Sequence, residues 1–136
     1  MKKGKVINPS EVKAYVCDHT YSSKMLMDDL VAGEKAINVN EGTLTAGCST
    51  AGGVHEKAEI YIVMKGEATL HLGDELYDIK PGSIGFIPGG VFHSLDNKSK
   101  TDEFVLLTLW PDANDNGLYH ERIKAWGKSF KTINEE

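Results

Sequence analysis

The 136-residue sequence contains only two cysteines, Cys17 and Cys48. Two thiols cannot make the framework of a disulfide-rich fold, so we expect both to stay reduced and to pack as small apolar side chains. No run of about 18 apolar residues is present, which excludes a membrane-spanning helix. The basic N-terminus is not followed by an apolar stretch of signal-peptide length. We therefore expect a cytoplasmic protein with no membrane partner.

Positive charge is also scarce, because 15 lysines and arginines stand against 20 acidic residues and give a formal net charge of −5. Such a balance offers no electrostatic reason to bind nucleic acid or an anionic membrane. The sequence also lacks a phosphate-binding loop, a dinucleotide fingerprint and a G-x-S-x-G nucleophile motif. These absences exclude several common nucleotide-dependent and hydrolytic classes.

Glycine, in contrast, is abundant, and ten of the fourteen glycines lie between Gly42 and Gly90. Together with Pro, Asn and Asp they separate short segments rich in β-forming residues about every 8–12 positions, which is typical of an antiparallel sandwich or barrel. A turn is predicted at residues 40–42. The predicted strands cover residues 24–27, 36–39, 43–46, 58–64, 68–72, 76–79, 83–87, 91–95 and 104–109.

Helical periodicity appears only near the C-terminus, where apolar residues recur at spacings near 3.6. The pattern predicts a helix over about residues 115–130 that packs through Leu118, Tyr119, Ile123, Trp126 and Phe130. No repeat, linker or low-complexity segment divides the chain. We therefore expect one all-β domain over residues 1–136 with a short C-terminal helix.

The strand predicted at residues 58–64 is apolar on both faces. Glu59, Tyr61 and Val63 share one face because side chains alternate along a strand, and Ile60, Ile62 and Met64 share the other. A barrel wall normally meets water on its outer side, so large apolar groups there indicate a cover. A second subunit is the cover that we expect, which predicts a homodimer.

Potential metal ligands are the most specific chemical feature of the sequence. His55 and Glu59 are four residues apart and point to the same side if the segment is extended. His93 lies in another predicted strand. Two imidazoles and one carboxylate are the usual ligands of non-haem iron, and Mn, Ni and Zn accept them as well. The alternative for each histidine is an ordinary hydrogen-bonded role; His71 is expected on a strand surface.

The segment around His93 resembles a motif of the cupin superfamily, whose members are small jelly-roll barrels. That motif is Gly, five residues, Pro-x-Gly, two residues, His, three residues, Asn. Every fixed position is matched here, by Gly82, Pro88, Gly90, His93 and Asn97. The resemblance implies an RmlC-like double-stranded β-helix whose two motifs lie within about residues 43–109.

The first cupin motif, His-x-His followed by three or four residues, Glu, six residues and Gly, is matched only in part. His55, Glu59 and Gly66 fit, but the first histidine would fall at Gly53. The resemblance therefore implies one divalent metal ion, Fe, Mn, Ni or Zn, on His55, Glu59 and His93, with one family ligand missing. Cys48 and Glu56 are candidate replacements.

Other side chains are candidates for the cavity. Tyr61 and Val63 share the face of Glu59 and are expected to line the same interior. Tyr61 could donate a proton or hold a substrate oxygen, or could simply pack with its hydroxyl satisfied. Lys57 could attract an anionic substrate, or could be a solvated lysine.

Two kinds of function fit these residues. One is a metal-dependent enzyme of the isomerase, lyase or dioxygenase type that acts on a small oxygenated metabolite in the barrel. The other is a non-catalytic module that binds a sugar or an organic acid without metal. A fold hosts many reactions, so the resemblance fixes neither.

Overall fold

The computed structural model describes residues 3–16 and 18–111, and their main elements are nine β-strands. A 3-10 turn at Pro9–Glu11 precedes the strands, and a one-turn helix α1 (Asp29–Ala32) follows β2. The strands are β1 Tyr15–Val16, β2 Tyr21–Met27, β3 Asn38–Leu44, β4 Glu59–Lys65, β5 Ala68–Leu72, β6 Glu75–Ile79, β7 Ile84–Ile87, β8 His93–Asp96 and β9 Phe104–Trp110.

The helix predicted over about residues 115–130 lies outside the described residues, so the helix and the single domain over 1–136 stay predictions. Among the residues that are described, no helix is both long enough and apolar enough to span a bilayer.

The strands form two antiparallel sheets that enclose a jelly-roll barrel, as predicted. The larger sheet has the order β1-β2-β3-β9-β4-β7, and the smaller has the order β6-β5-β8. Residues 48–53 run beside β8 and extend the smaller sheet: the Thr50 N–H donates to the Leu95 carbonyl, and Gly53 and His93 exchange two backbone hydrogen bonds of 3.1 Å. The all-β prediction is confirmed.

The turn predicted at residues 40–42 is wrong, because these residues lie in the middle of the continuous strand β3. Gly42 pairs with Ser23 on one side and with Leu106 on the other. A Cβ at Gly42 would collide with the Tyr21 hydroxyl, so the glycine makes room for a tyrosine side chain rather than for a turn. The sequence shows the glycine but not the ring that crosses it.

The inner face of the larger sheet changes from polar to apolar along the barrel. Asn40, Thr108 and Tyr61 are neighbours across β3, β9 and β4, and all three are buried. In the next inward-facing row, Leu106 lies between Gly42 and Val63. One end of the barrel is thus filled by apolar side chains. The polar row of Asn40, Thr108 and Tyr61 is the next layer along the barrel axis. The apolar cluster comprises Leu44, Tyr61, Val63, Ala68, Leu70, Ile87, Leu95, Phe104 and Leu106.

Asn97, the last fixed residue of the second cupin motif, joins three segments of backbone. Its amide nitrogen lies 2.9 Å from the Asp102 carbonyl oxygen, 3.2 Å from that of Leu44 and 3.3 Å from that of Thr45. Its carbonyl oxygen accepts from the Ser99 N–H. The side chain is buried, so these bonds replace water at the end of β3 and at the entry to β9.

We predict that Asn97→Asp and Asn97→Ala each lower the free energy of unfolding by roughly 2 kcal/mol or more, since a buried polar group left without a partner costs about 1–3 kcal/mol. The aspartate has the same shape but cannot donate to carbonyl oxygens. Urea denaturation measures the effect, with the exposed neighbour Lys98→Ala as control. Unchanged stability of Asn97→Asp would contradict this structural role.

Candidate metal centre

Three side chains from separate parts of the chain meet at one point in the barrel. His55 lies in the loop before β4, Glu59 is the first residue of β4, and His93 is the first residue of β8. One ligand atom from each lies within 4.8 Å of the others. Within residues 3–16 and 18–111 this is the only group of three or more potential metal ligands.

The three atoms form a nearly equilateral triangle. His55 Nε2 lies 2.8 Å from Glu59 Oε1 and 3.2 Å from His93 Nε2, and His93 Nε2 lies 3.2 Å from the same carboxylate oxygen. Adjacent ligands at right angles on one cation, with bonds of about 2.1 Å, are separated by about 3.0 Å. The spacing therefore fits one face of an octahedral metal site.

The other nitrogen of each imidazole settles which atom can bind a cation. His55 Nδ1 lies 2.7 Å from the Lys57 carbonyl oxygen, and His93 Nδ1 lies 3.0 Å from that of Val91. A carbonyl only accepts, so each Nδ1 carries a proton and donates it. Each Nε2 then keeps a lone pair in the neutral ring, which is the form and orientation of a metal-bound histidine.

Without a cation, the lone pairs and the carboxylate repel one another unless a proton lies between them. The pKa of His93 is accordingly raised above its ordinary value of 6.5, chiefly by the hydrogen bond to Glu59 and against the effect of burial. The donor set thus favours a positive charge at its centre, which a divalent metal ion would supply in place of the proton. The residues present fit the metal that the resemblance implied.

Glycines of the second motif hold the loop that carries His55. The Gly90 N–H donates to the His55 carbonyl over 2.8 Å. Gly89 packs so closely on the Glu56 carbonyl that a Cβ would collide with it. The Pro-x-Gly segment therefore positions a ligand of the first motif, although the two are more than thirty residues apart in sequence.

The centre opens into a cavity of about 900 Å³. Tyr61 and Lys57 line it together with the three candidate ligands. Val63 does not: it is 2% exposed and is not among the residues that line the cavity. Alternation assigns a face but not a depth, and Val63 lies one inward position further along β4 than Tyr61.

Burial raises the pKa of the Tyr61 phenol well above its ordinary value, and the nearby Glu59 and Tyr21 add to the effect. The ring centroids of Tyr61 and His93 are 6.2 Å apart. The hydroxyl therefore stays protonated at neutral pH and can act as a hydrogen-bond or proton donor, but not as a phenolate base.

Several cavity residues were missed at the level of sequence. Tyr21, Asn40, Thr108 and Trp110 contribute to the wall, and they come from three strands of the larger sheet. The Trp110 indole nitrogen is buried without a hydrogen-bond partner among the described residues. Only the long-range pairing of β2 with β3 and of β3 with β9 brings these side chains together, and no local pattern encodes it.

The candidate replacement ligands do not join the centre. Cys48 packs against the apolar cluster, and the group of three includes neither Cys48 nor Glu56. His71 lies elsewhere, on β5, where Nε2 is 2.6 Å from Asp96 Oδ2. That contact and a hydrogen bond from Ser49 lower the pKa of Asp96, the latter being the larger effect.

Comparison with known proteins agrees with this fold. The family model described as "Cupin domain" matches residues 40–110, just over half of the chain. The protein therefore belongs to the cupin family. An uncharacterized protein from Streptomyces coelicolor is 31% identical over 78 residues, which cover 57% of this chain and 73% of that protein.

Solved structures share the fold at low sequence identity. The polyketide cyclase RemF from Streptomyces resistomycificus has a TM-score of 0.73 at 22% identity, over 84% of this chain and 83% of its own. KdgF from Halomonas sp. has a TM-score of 0.70 at 17% identity, over 83% and 98%. A predicted oxalate decarboxylase from Thermotoga maritima has a TM-score of 0.70 at 22% identity, over 80% of this chain and 100% of its own.

We predict that the affinity for a divalent cation rises with pH beyond 6.5, because the cation displaces a proton from the His93–Glu59 pair and the pKa of His93 is raised. Titration calorimetry with Mn²⁺ from about pH 6 to about pH 8 tests this. His71→Ala, which alters a histidine outside the centre, should leave the dependence unchanged. A flat affinity over this range would contradict it.

Proposed function

We propose that this cupin is a metal-dependent enzyme that acts on a small oxygenated metabolite in its barrel cavity. The observation that carries the proposal is the triangle of His55 Nε2, Glu59 Oε1 and His93 Nε2, whose donor atoms converge within 3.2 Å. The backbone carbonyls that fix both imidazoles argue for ligands and against incidental surface histidines.

A divalent ion bound there would act as a Lewis acid that polarises a carbonyl or enediolate oxygen. The protein residues have separate tasks around that point. Glu59 offsets part of the positive charge, and the protonated Tyr61 hydroxyl is the candidate proton donor and the proposed catalytic residue. Lys57 at the cavity wall favours an anionic substrate, and the apolar cluster below Tyr61 limits how deep the substrate enters.

The donor set of two imidazoles and one carboxylate suits Fe, Mn, Ni or Zn. Isomerase, lyase and dioxygenase reactions are all compatible with such a centre. Two structural neighbours, named as a polyketide cyclase and a predicted oxalate decarboxylase, support small oxygenated substrates. Their identity to this chain is too low to transfer either reaction.

We predict that protein purified without chelator or added metal contains close to one divalent ion per chain. His93→Ala should lose it, because the variant removes a buried ligand. Tyr61→Phe and His71→Ala should keep it, since one changes the cavity beside the centre and the other a histidine outside it. Elemental analysis of the four proteins gives the result.

Metal-free wild-type protein that takes up no Fe(II), Mn(II), Ni(II) or Zn(II) on incubation would reject the proposed enzyme. A bound organic molecule in such a preparation would then favour the metal-free binding module. Equal metal content in wild type and His93→Ala would place the ion outside the proposed centre.

We also propose that two copies associate through the outer face of the larger sheet. Ile60 pairs with Phe86 and Ile62 with Ile84 across β4 and β7. Ile84 is 72% exposed and Phe86 is 63% exposed. The strand β7 ends the sheet, so this apolar face continues to an open edge. A twofold-related copy would cover both strands with the same surface.

We predict a dimer for the wild type and a monomer for Ile84→Glu with Phe86→Glu, because each copy would bring two charges into an apolar interface. Leu76→Glu is the control, since Leu76 is 65% exposed on β6 of the other sheet. Light scattering after gel filtration measures the mass. A monomeric wild type, or a double variant that stays dimeric, would contradict the proposal.

A further inference from the structure

Gly53, which stands where the family motif has its first histidine, directly faces the candidate centre. Gly53 and His93 form an isolated antiparallel bridge in which each N–H donates to the other's carbonyl over 3.1 Å. Residues paired in this way carry their side chains on the same face of a sheet. The His93 side chain points into the barrel, so a side chain at residue 53 would point there too.

The backbone does not require glycine at this position. Gly53 is not among the glycines with positive φ, and a Cβ built on it would meet no heavy atom within 4 Å. The adjacent Gly52 is the opposite case: its φ is +80°, and a Cβ would lie 2.7 Å from the Phe92 ring and 2.9 Å from the His93 carbonyl oxygen. Glycine at residue 52 serves the chain path, whereas glycine at residue 53 leaves open space.

That space belongs to the cavity, because Gly53 is among its lining residues beside His55 and His93. Three protein ligands on one face of an octahedral ion leave three positions open, and a fourth imidazole at residue 53 would take one of them. A single carboxylate also leaves a divalent centre with a net positive charge, which favours anionic oxygen donors.

We propose that Gly53 keeps a third ligand position open, so that the centre holds a substrate through two oxygen atoms and a second small ligand at the same time. The substrate class is a compact anionic chelator, such as a 2-hydroxy or 2-oxo carboxylate. The inference rests on the proposed function, because it requires a cation on His55, Glu59 and His93.

The test counts open positions with Co²⁺, whose visible spectrum reports its ligands. Wild type, Gly53→Ala and Gly53→His are loaded, and azide is titrated with and without saturating acetohydroxamate, a two-oxygen chelator. In wild type and Gly53→Ala, azide should bind the chelate complex as a third ligand, with only the modest loss of affinity that the charge of the chelator causes. In Gly53→His, the chelator should lower the affinity for azide by about tenfold or more. The affinity for Co²⁺ itself should be higher than in Gly53→Ala by about tenfold or more, since even residues that only hydrogen-bond to a metal ligand change metal affinity by roughly 10–100-fold.

Gly53→Asp is a second, smaller ligand variant if the histidine variant does not fold. Co²⁺ affinity in the ligand variants equal to that of Gly53→Ala would overturn the inference and leave the proposed function intact. Competition between azide and chelator in wild type would also overturn it. Co²⁺ binding by Gly53→His alone would reject both the proposed enzyme and the open position. Absence of Co²⁺ binding in the wild type and in every variant would do the same.

Discussion

Two backbone carbonyls, those of Lys57 and Val91, fix the ring orientations on which the candidate metal centre depends. By accepting from Nδ1 of His55 and His93 they fix both tautomers and turn both Nε2 lone pairs toward Glu59. The three atoms need a positive charge between them, which a proton on His93 provides and which a bound divalent cation would provide in its place. The loops that place these carbonyls are in turn held by Gly89 and Gly90 and by the bridge from Gly53 to His93. The orientation of the two imidazoles therefore depends on the conformation of the loops around them.

The cavity combines this charged centre with two different kinds of wall. Tyr61, Thr108 and Asn40 form a polar row across three strands, and Leu106 and Val63 close the barrel one row deeper. A small molecule that reaches the side-chain atoms of His55, Glu59 and His93 therefore meets hydrogen-bonding groups beside it and hydrocarbon beyond it. The proposed small oxygenated substrate would fit both walls, because a short molecule can keep its polar atoms beside the polar row and away from the apolar cluster.

Local pattern located most of the strands and named three side chains that the structure brings together, and it failed where the outcome depended on distant residues. His55 and Glu59 could be paired from their spacing, and His93 from its motif. The glycine in β3 indicated a turn because its reason, the Tyr21 ring that crosses it, is contributed by another strand. Val63 was assigned to the cavity because period two defines a face and not a depth. Asn40, Thr108 and Trp110 could not be found, since only the register of β3 against β9 makes them neighbours of Tyr61.

Gly52 and Gly53 are adjacent and chemically identical, but the structure explains the presence of glycine only at residue 52. Gly52 is explained by its positive φ and by atoms that would collide with a Cβ, so the fold accounts for it. Nothing in the backbone accounts for Gly53, and the space that it leaves lies beside His93 in the cavity. Residue 53 is therefore free of the constraints that explain Gly52, and it lies beside the three candidate ligand atoms. If a metal ion binds as proposed, the departure from the family motif at this residue sets how many ligand positions the centre leaves open.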